Sequence, residues 1–306
     1  MNKNIEVAVI IPAYNAEKTL LRAFLSTVNQ GLLCQVVIIN DQSNDNTLKV
    51  ANEIADNYPN ILVLNNDKNL GVSASRNKGI KAVETEYIAF LDADDVWLPN
   101  KLIKQKHSIE NNENCILVTC DSLQVSPCGR VLKRAHLNKP PVTGFSAWKT
   151  LLEYNFIPTP TVFTRTDLVK ECLGFDENLK VAEDLNLWIK LAMKGQVTVI
   201  NEVLVHYFEY QGSLMKTGEK NPSAVIIDMI EQHIINNPLL TKEEVKSIYS
   251  KRYFELGVQN LNHLETAKYW FKKSIEAGNS KWVINRILVR AFLVKKLRVF
   301  ILRQKH

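Results

Sequence analysis

Within its first hundred residues the chain repeats one alternation: short apolar runs at Val7–Ile11, Val36–Ile39, Ile61–Leu64 and Tyr87–Leu91 are separated by helical patterns. The intervening patterns run from Asn15, a candidate cap, to about Gln30, from Thr47 to Tyr58 and from Ser73 to Val83. Continuous apolar runs of this length read as strands buried on both faces. Parallel neighbours need a crossover of a dozen or more residues, usually a helix. The spacing therefore predicts βαβ units and a parallel sheet in an α/β fold. In such sheets ligands bind just beyond the carboxyl ends of the strands, so the residues directly after each run carry the functional reading.

After the fourth run stands Asp92-Ala93-Asp94-Asp95. In extended chain, residues i and i+2 face the same side, so Asp92 and Asp94 can meet one ligand together. Two carboxylates that close raise each other's pKa unless a cation lies nearby, and Mg²⁺ or Mn²⁺ suits hard oxygen donors. The plainer reading is an acidic turn that caps the next helix.

After the first run the chain reads Pro12-Ala13-Tyr14-Asn15, without the Gly-x-Gly-x-x-Gly of a dinucleotide site or a phosphate-gripping loop. After the second it reads Asn40-Asp41-Gln42-Ser43. A carboxylate at Asp41 can accept from a nucleobase N–H beside the Tyr14 ring, or these residues can simply cap a helix. Asn69 to Ile80 places Arg76 in a helical first turn, where a guanidinium can neutralise a diphosphate, lock the Asp92–Asp94 loop, or serve as a purely structural arginine on a helix face. Glu183-Asp184 opens an amphipathic helix. There it can complement the helix dipole, or one carboxylate can act as general base on an acceptor hydroxyl.

Helical character without strand signal follows Pro222, which sets a domain boundary near 220: an α/β domain over 1–220 and a helical region over 221–306. Residues 250–278 read as two helices broken around Asn262-His263. The net charge of +6 is concentrated at the end: residues 281–306 hold eight Lys or Arg and no acid, leaving −2 for residues 1–280. The body is thus not a nucleic-acid binder by charge. The basic, apolar tail is a candidate membrane-surface segment, or a helix packed on the catalytic domain with its Lys and Arg solvated. The five cysteines show no Cys-x-x-Cys spacing, so neither a disulfide framework nor a zinc site is expected. Neither a signal peptide nor an 18-residue apolar run is legible, and a cytoplasmic protein is expected, with possible peripheral contact at the inner face of the plasma membrane.

Taken in order, these strings resemble the family 2 glycosyltransferases of the glycosyltransferase A fold, over roughly residues 5–215. Pro12 to Asn15 matches the first-strand loop, and Asn40-Asp41-Gln42-Ser43 the second, usually Asp-Asp-Gly-Ser. Asn69, Gly71, Ala74, Arg76, Asn77 and Gly79 match the third string, and Asp92 to Asp95 the metal motif. Gly174-Phe175-Asp176 with Glu183, Asp184 and Trp188 matches the acceptor side. The resemblance implies a Rossmann-like, mostly parallel sheet flanked by helices. It also implies inverting transfer from a nucleotide sugar, usually UDP-linked, to an acceptor hydroxyl. In that picture Tyr14 and Asp41 hold the base, with Pro12, Asn15, Ser43, Asn69 and Arg76 shaping the nucleotide pocket. Asp92 contacts ribose or metal-bound water, Asp94 is the principal ligand of Mn²⁺ or Mg²⁺, and Asp184 is the base with Glu183 beside it. The basic tail, were it to hold the enzyme at the inner leaflet, would fit a glycan acceptor that is a lipid-linked oligosaccharide for a bacterial surface polysaccharide.

The chain departs from the pattern at Asn40 and Gln42, and again at Phe208 and Tyr210, which stand where Arg and His are usual. His206 is the remaining histidine there. A sugar nucleotidyltransferase would need a glycine-rich basic first loop, and a processive synthase would need membrane spans and Gln-x-x-Arg-Trp. A non-catalytic carbohydrate- or nucleotide-sugar-binding descendant is the other alternative, against which the joint presence of Asp41, Asp92, Asp94 and Asp184 stands.

Overall fold

A computed structural model of the protein describes residues 5–209, 222–285 and 287–288. The chain divides into two compact units, one built from residues 1–151 and 155–226, the other from residues 152–154 and 227–306.

The first unit is a layered α/β structure on one sheet. Its strands are β1 (Val7–Ala13), β2 (Cys34–Asn40), β3 (Ile61–Asn65), β4 (Tyr87–Phe90), β5 (Val96–Trp97), β6 (Cys115–Val125), β7 (Val131–Arg134), β8 (Phe163–Arg165) and β9 (Gln196–Phe208). The spatial order is β3-β2-β1-β4-β8-β6-β9-β5, with β7 on β6. The half made of β3, β2, β1 and β4 is parallel. The short β8 then enters antiparallel to both β4 and β6. Two reversals restore the direction, so β6 and its parallel partner β9 run the same way as β1 and β4. Every one of these strands except β8 and the edge pieces β5 and β7 therefore points its carboxyl end to the same side of the sheet.

The helices are α1 (Leu20–Leu25), α2 (Thr47–Asn57), α3 (Val72–Lys81), α4 (Lys101–Glu110), α5 (Ala135–Asn138), α6 (Ala147–Glu153), α7 (Thr166–Glu171), α8 (Glu183–Ala192), α9 (Pro222–Ile234), α10 (Lys242–Gln259) and α11 (Leu264–Glu276). One face of the sheet packs through Val7, Val9, Ile11, Val36, Ile38 and Ala89 against Leu20, Phe24, Ala51 and Ile54. On the other face α3 lies unusually close. A methyl group at Gly79 would come within 2.9 Å of both Ile10 and Ile39, so only glycine lets this helix settle there.

Two sequence expectations need correction. Asn15 does not cap a helix running to Gln30: α1 spans only Leu20–Leu25, because Ser26 and Thr27 turn their hydroxyls onto the carbonyls of Ala23 and Phe24 and Gln30 donates to the Ser26 carbonyl. Such side-chain bonds compete with helix propagation. Nor is the acidic loop extended, since Asp95 N–H donates to the Asp92 carbonyl at 3.0 Å and closes a turn.

In the second unit α10 and α11 form a helical hairpin broken at residues 260–263. Thr241 and Glu244 make a reciprocal capping box at the start of α10. Phe271, Ala267 and Ile284 form its core. No helix among the described residues is long and apolar enough to cross a membrane. The tail beyond residue 288 and Tyr210 lie outside the described residues.

Candidate active site

The carboxyl ends of β1, β2 and β4 bring three of the five strings to one edge of the sheet, α3 with the loop before it carries the Arg76 string, and α8 supplies Glu183 and Asp184. The β1 and β2 loops are laced together. Asn15 N–H donates to Ser43 Oγ at 3.0 Å, and Asn15 Oδ1 accepts from Asn44 N–H at 2.9 Å. Asn15 is thus spent on the neighbouring loop and takes a left-handed φ of 50°. Pro12 is half-buried at the end of β1, while the Tyr14 ring and Asn69 are exposed beside it. Gln42 also sits at positive φ, 54°, where glycine would be unstrained.

Asp41 is buried, and its carboxylate already accepts three hydrogen bonds. They come from Asn66 Nδ2 and Leu70 N–H to Oδ1 and from Gly71 N–H to Oδ2, each at 2.8 Å. These three bonds make Asp41 the organiser of the loop that enters α3, and a carboxylate offers about four acceptor positions in all. Asn66, which the motif reading missed, donates to both Asp41 and Ser75 and accepts from Lys78. Asn40 donates to Asn65 at 2.6 Å, tying the tips of β2 and β3.

At the centre lies Arg76. Its guanidinium is buried, donates to Asp92 Oδ1 at 2.8 Å and to Glu183 Oε1 at 3.3 Å, and stacks 5.0 Å from the centre of the Phe175 ring. The contact to Asp92 forms the lock on the acidic loop. Residues 16 and 107 positions away are thereby joined through one side chain. Asn77, next along α3, holds the acceptor-side turn: Nδ2 donates to the Phe175 carbonyl and Oδ1 accepts from Phe175 N–H, both at 2.8 Å. Phe175 packs with Phe90 and Trp188, ring centres 5.3–5.9 Å apart.

The carboxylates are strongly perturbed. Burial, then the Asp92 charge, pushes Asp94 up to about 6. Asp95 is fully buried; Oδ1 accepts from Phe208 N–H at 2.9 Å, and Oδ2 has no partner among the described residues. Burial, then Asp92 and Asp94, pushes Asp95 well above the usual carboxylate range. Burial and Asp184 push Glu183 up to about 7, against the opposing pull of Arg76. Asp184 is raised by burial while Leu185 N–H, Arg76 and the Thr159 hydroxyl hold it down.

Asp184 is gripped on both oxygens. Leu185 N–H reaches Oδ1 at 2.6 Å, and Thr159 Oγ1 and Asn155 Nδ2 reach Oδ2 at 3.3 and 3.4 Å. Neither Thr159 nor Asn155 carried a sequence signal, since they sit in the connection between α6 and β8, where Thr159 opens a single 3-10 turn, Thr159–Thr161. Trp97 fixes that loop by donating from its indole N–H to the Pro160 carbonyl at 2.8 Å. A further unforeseen residue is Arg22 on α1, which donates to the Asp94 carbonyl at 2.7 Å with its guanidinium 4.0 Å over the Phe208 ring. His206 lies in β9 opposite Val96.

The model of the glycosyl transferase family 2 matches residues 8–170, more than half of the chain. The chain belongs to this family. Among curated relatives, it is 29% identical over 95% of its length to an uncharacterized glycosyltransferase of Rickettsia felis, and 30% identical over 77% to the minor teichoic acid biosynthesis protein GgaB of Bacillus subtilis. The chain spans about half or less of those relatives, 47% and 28% of their lengths. Among solved structures, S. aureus TarS in complex with UDP-GlcNAc superposes with a TM-score of 0.69 at 22% identity, covering 89% of this chain and 79% of that one. The mannosyltransferase PcManGT of Pyrobaculum calidifontis, in complex with GDP-Man and Mn²⁺, superposes with a TM-score of 0.62 at 16% identity, covering 96% and 81%. The first unit thus has the glycosyltransferase A fold, with its antiparallel β8 part of a mixed sheet.

For this family 2 member the donor set bears on a divalent ion. Three carboxylates crowd one turn, only Asp92 among them faces Arg76, and a buried Asp95 oxygen is unpartnered among the described residues. All are hard oxygen donors, which fits Mg²⁺ or Mn²⁺. No group of three or more His, Cys, Asp or Glu forms a metal cage among the described residues.

Proposed function

We propose that this family 2 glycosyltransferase is an inverting, metal-dependent enzyme that moves a sugar from a UDP-linked donor to a hydroxyl of a lipid-linked glycan in surface polysaccharide synthesis. The observation that carries the reading is the Arg76 bridge, which ties the acidic loop at Asp92 to the Glu183–Asp184 pair. Leaving-group and acceptor chemistry must lie on either side of one anomeric carbon, and a buried bidentate guanidinium fixes the distance between the two.

In this mechanism Tyr14 and the free acceptor position of Asp41 receive the base, with Pro12, Asn15, Ser43 and Asn69 forming the rim. Asp94, with Asp92 nearby, would hold a divalent ion, which would supply positive charge for the departing diphosphate. Asp184 is oriented by Thr159, Asn155 and Leu185 and takes the proton of the acceptor hydroxyl. The acceptor oxygen then bonds to the anomeric carbon as the bond to the nucleoside diphosphate breaks on the opposite face, which inverts the centre. Burial raises the basicity of the Glu183–Asp184 pair, and a base is most effective when its pKa lies near the working pH. The surface-glycan acceptor is supported by the likeness to GgaB, and the metal by the PcManGT complex.

The test is release of nucleoside diphosphate from a panel of UDP-, GDP- and dTDP-sugars with Mn²⁺ or Mg²⁺, beside Asp94→Ala and Asp184→Asn. Metal-dependent turnover of a UDP-sugar is expected, lost in both variants, with UDP binding kept in Asp184→Asn. Turnover undiminished in Asp184→Asn would remove Asp184 as base. If metal-dependent UDP binding were also missing in the unaltered protein, a non-catalytic carbohydrate-binding role would replace transfer.

A further inference from the structure

Residues 122–139 contain Arg130, Lys133, Arg134 and Lys139 and no acid. They form the far half of β6, the β7 hairpin and α5. The hairpin turn is well formed: Ser126 N–H donates to the Arg130 carbonyl at 2.9 Å, Gly129 N–H to the Ser126 carbonyl at 2.8 Å and Arg130 N–H to Ser126 Oγ at 3.1 Å. Residues 127–134 are nonetheless exposed without interruption. Successive residues of a strand face opposite sides, so the exposure of Val131 (55%) and Leu132 (47%) means that neither face of β7 is covered. Leu137, in α5, is 76% exposed. Arg134 is paired with Asp121, whereas Arg130 and Lys133 form no ion pair with a described residue.

The topology puts this surface at the catalytic side. β6 runs parallel to β4 because β8 reverses between them, so the hairpin leaves the sheet at the edge that carries Asp92 to Asp95. Val125 at its root is in register with Phe208, whose N–H donates to Asp95.

We propose that the β7 hairpin and α5 dock this enzyme on an anionic lipid bilayer, with Val131, Leu132 and Leu137 among the head groups and Arg130 and Lys133 against lipid phosphates. Interfacial binding combines buried apolar area with attraction to anionic lipid, and this surface offers both. Basic residues on an edge strand also discourage strand pairing, but that role has no use for three exposed branched aliphatic side chains. A soluble polyanion would likewise use the cations and leave the aliphatics idle. The docking does not rest on the proposed chemistry: vesicle binding would stand even if the donor or the base were misassigned.

The test uses Cys128, an exposed thiol at the hairpin turn. The half-buried Cys34 thiol is pushed up to about 11 by burial, and Cys115, Cys120 and Cys172 are buried, so Cys128 is labelled selectively at neutral pH. The full chain, labelled there with an environment-sensitive fluorophore, is mixed with vesicles of phosphatidylglycerol and phosphatidylcholine or of phosphatidylcholine alone. A blue shift on the anionic vesicles only is expected. The Arg130→Gln/Lys133→Gln variant should weaken it about tenfold or more, and Leu132→Ser/Leu137→Ser should do likewise, with UDP binding unchanged in both. The absence of a shift, or a shift undiminished in both variants, would overturn the proposal. A shift with soluble polyphosphate and none with vesicles would reassign the surface to a phosphate-bearing glycan.

Discussion

Replacing Arg76 with methionine should destabilise the first unit strongly, and more so at alkaline than at acidic pH. The side chain is 4% exposed and serves Asp92 at 2.8 Å and Glu183 at 3.3 Å. Removing one partner of a buried ion pair costs about 3–5 kcal/mol, because the remaining charge is left uncompensated. The pH dependence follows from Glu183, whose carboxyl is held up to about 7 in the folded protein by burial and by Asp184, against 4.5 as its ordinary value. A carboxyl raised in this way favours the folded state fully below about pH 4.5 and loses that contribution as pH rises through about 7. Without Arg76 the Glu183 pKa climbs further, at about 1.4 kcal/mol per unit. The loss should therefore be near its full size at pH 8 and smaller by a kcal/mol or more, roughly, at pH 5.5. Urea unfolding followed by near-ultraviolet circular dichroism reads this, since Trp188 packs on the Phe175 ring that Arg76 covers. Arg76→Lys should recover only part of the stability, because an ammonium cannot span both carboxylates as a planar fork does. A loss below about 1 kcal/mol that does not change with pH would refute the lock.

Three further outcomes are expected. Gln42→Gly should stabilise the protein by about 1 kcal/mol in the same unfolding assay, since Gln42 holds a φ of 54° that costs an L side chain about that much. Gly174→Ala should cost more than 2 kcal/mol, roughly, because its φ is +65° and the new methyl would collide with Asn77 Oδ1, where the Phe175 clamp is made; unaltered thermal unfolding would contradict it. Binding of Mn²⁺ with UDP should release more protons at pH 6 than at pH 8, because Asp94 titrates at about 6 and must ionise to bind a cation. Calorimetry in buffers of different ionisation enthalpy measures the difference.

Continuous apolar runs and helical spacing report local burial, and so the βαβ units from Val7 to Phe90 and the edge at which Asp41 and Asp92 to Asp95 gather were legible from residue order alone. The motif strings likewise marked the side chains that converge. Direction and partnership were not legible. Nothing in Phe163–Arg165 says that β8 runs antiparallel, although that reversal decides where β6 and the hairpin leave the sheet. That Arg76 reaches both Asp92 and Glu183 depended on how closely α3 lies against the sheet, an approach that Gly79 permits beside Ile10 and Ile39. Asn66, Arg22, Asn155 and Thr159 left no trace in any motif, because a single polar residue in a loop has no period and its hydrogen-bond partner lies 25 to 72 positions away. The order of residues determined which chemistry the chain carries and on which strand ends. Only the tertiary structure decided which carboxylates are paired and which stay buried with raised pKa values, because desolvation and partner distance exist only once the layers have closed.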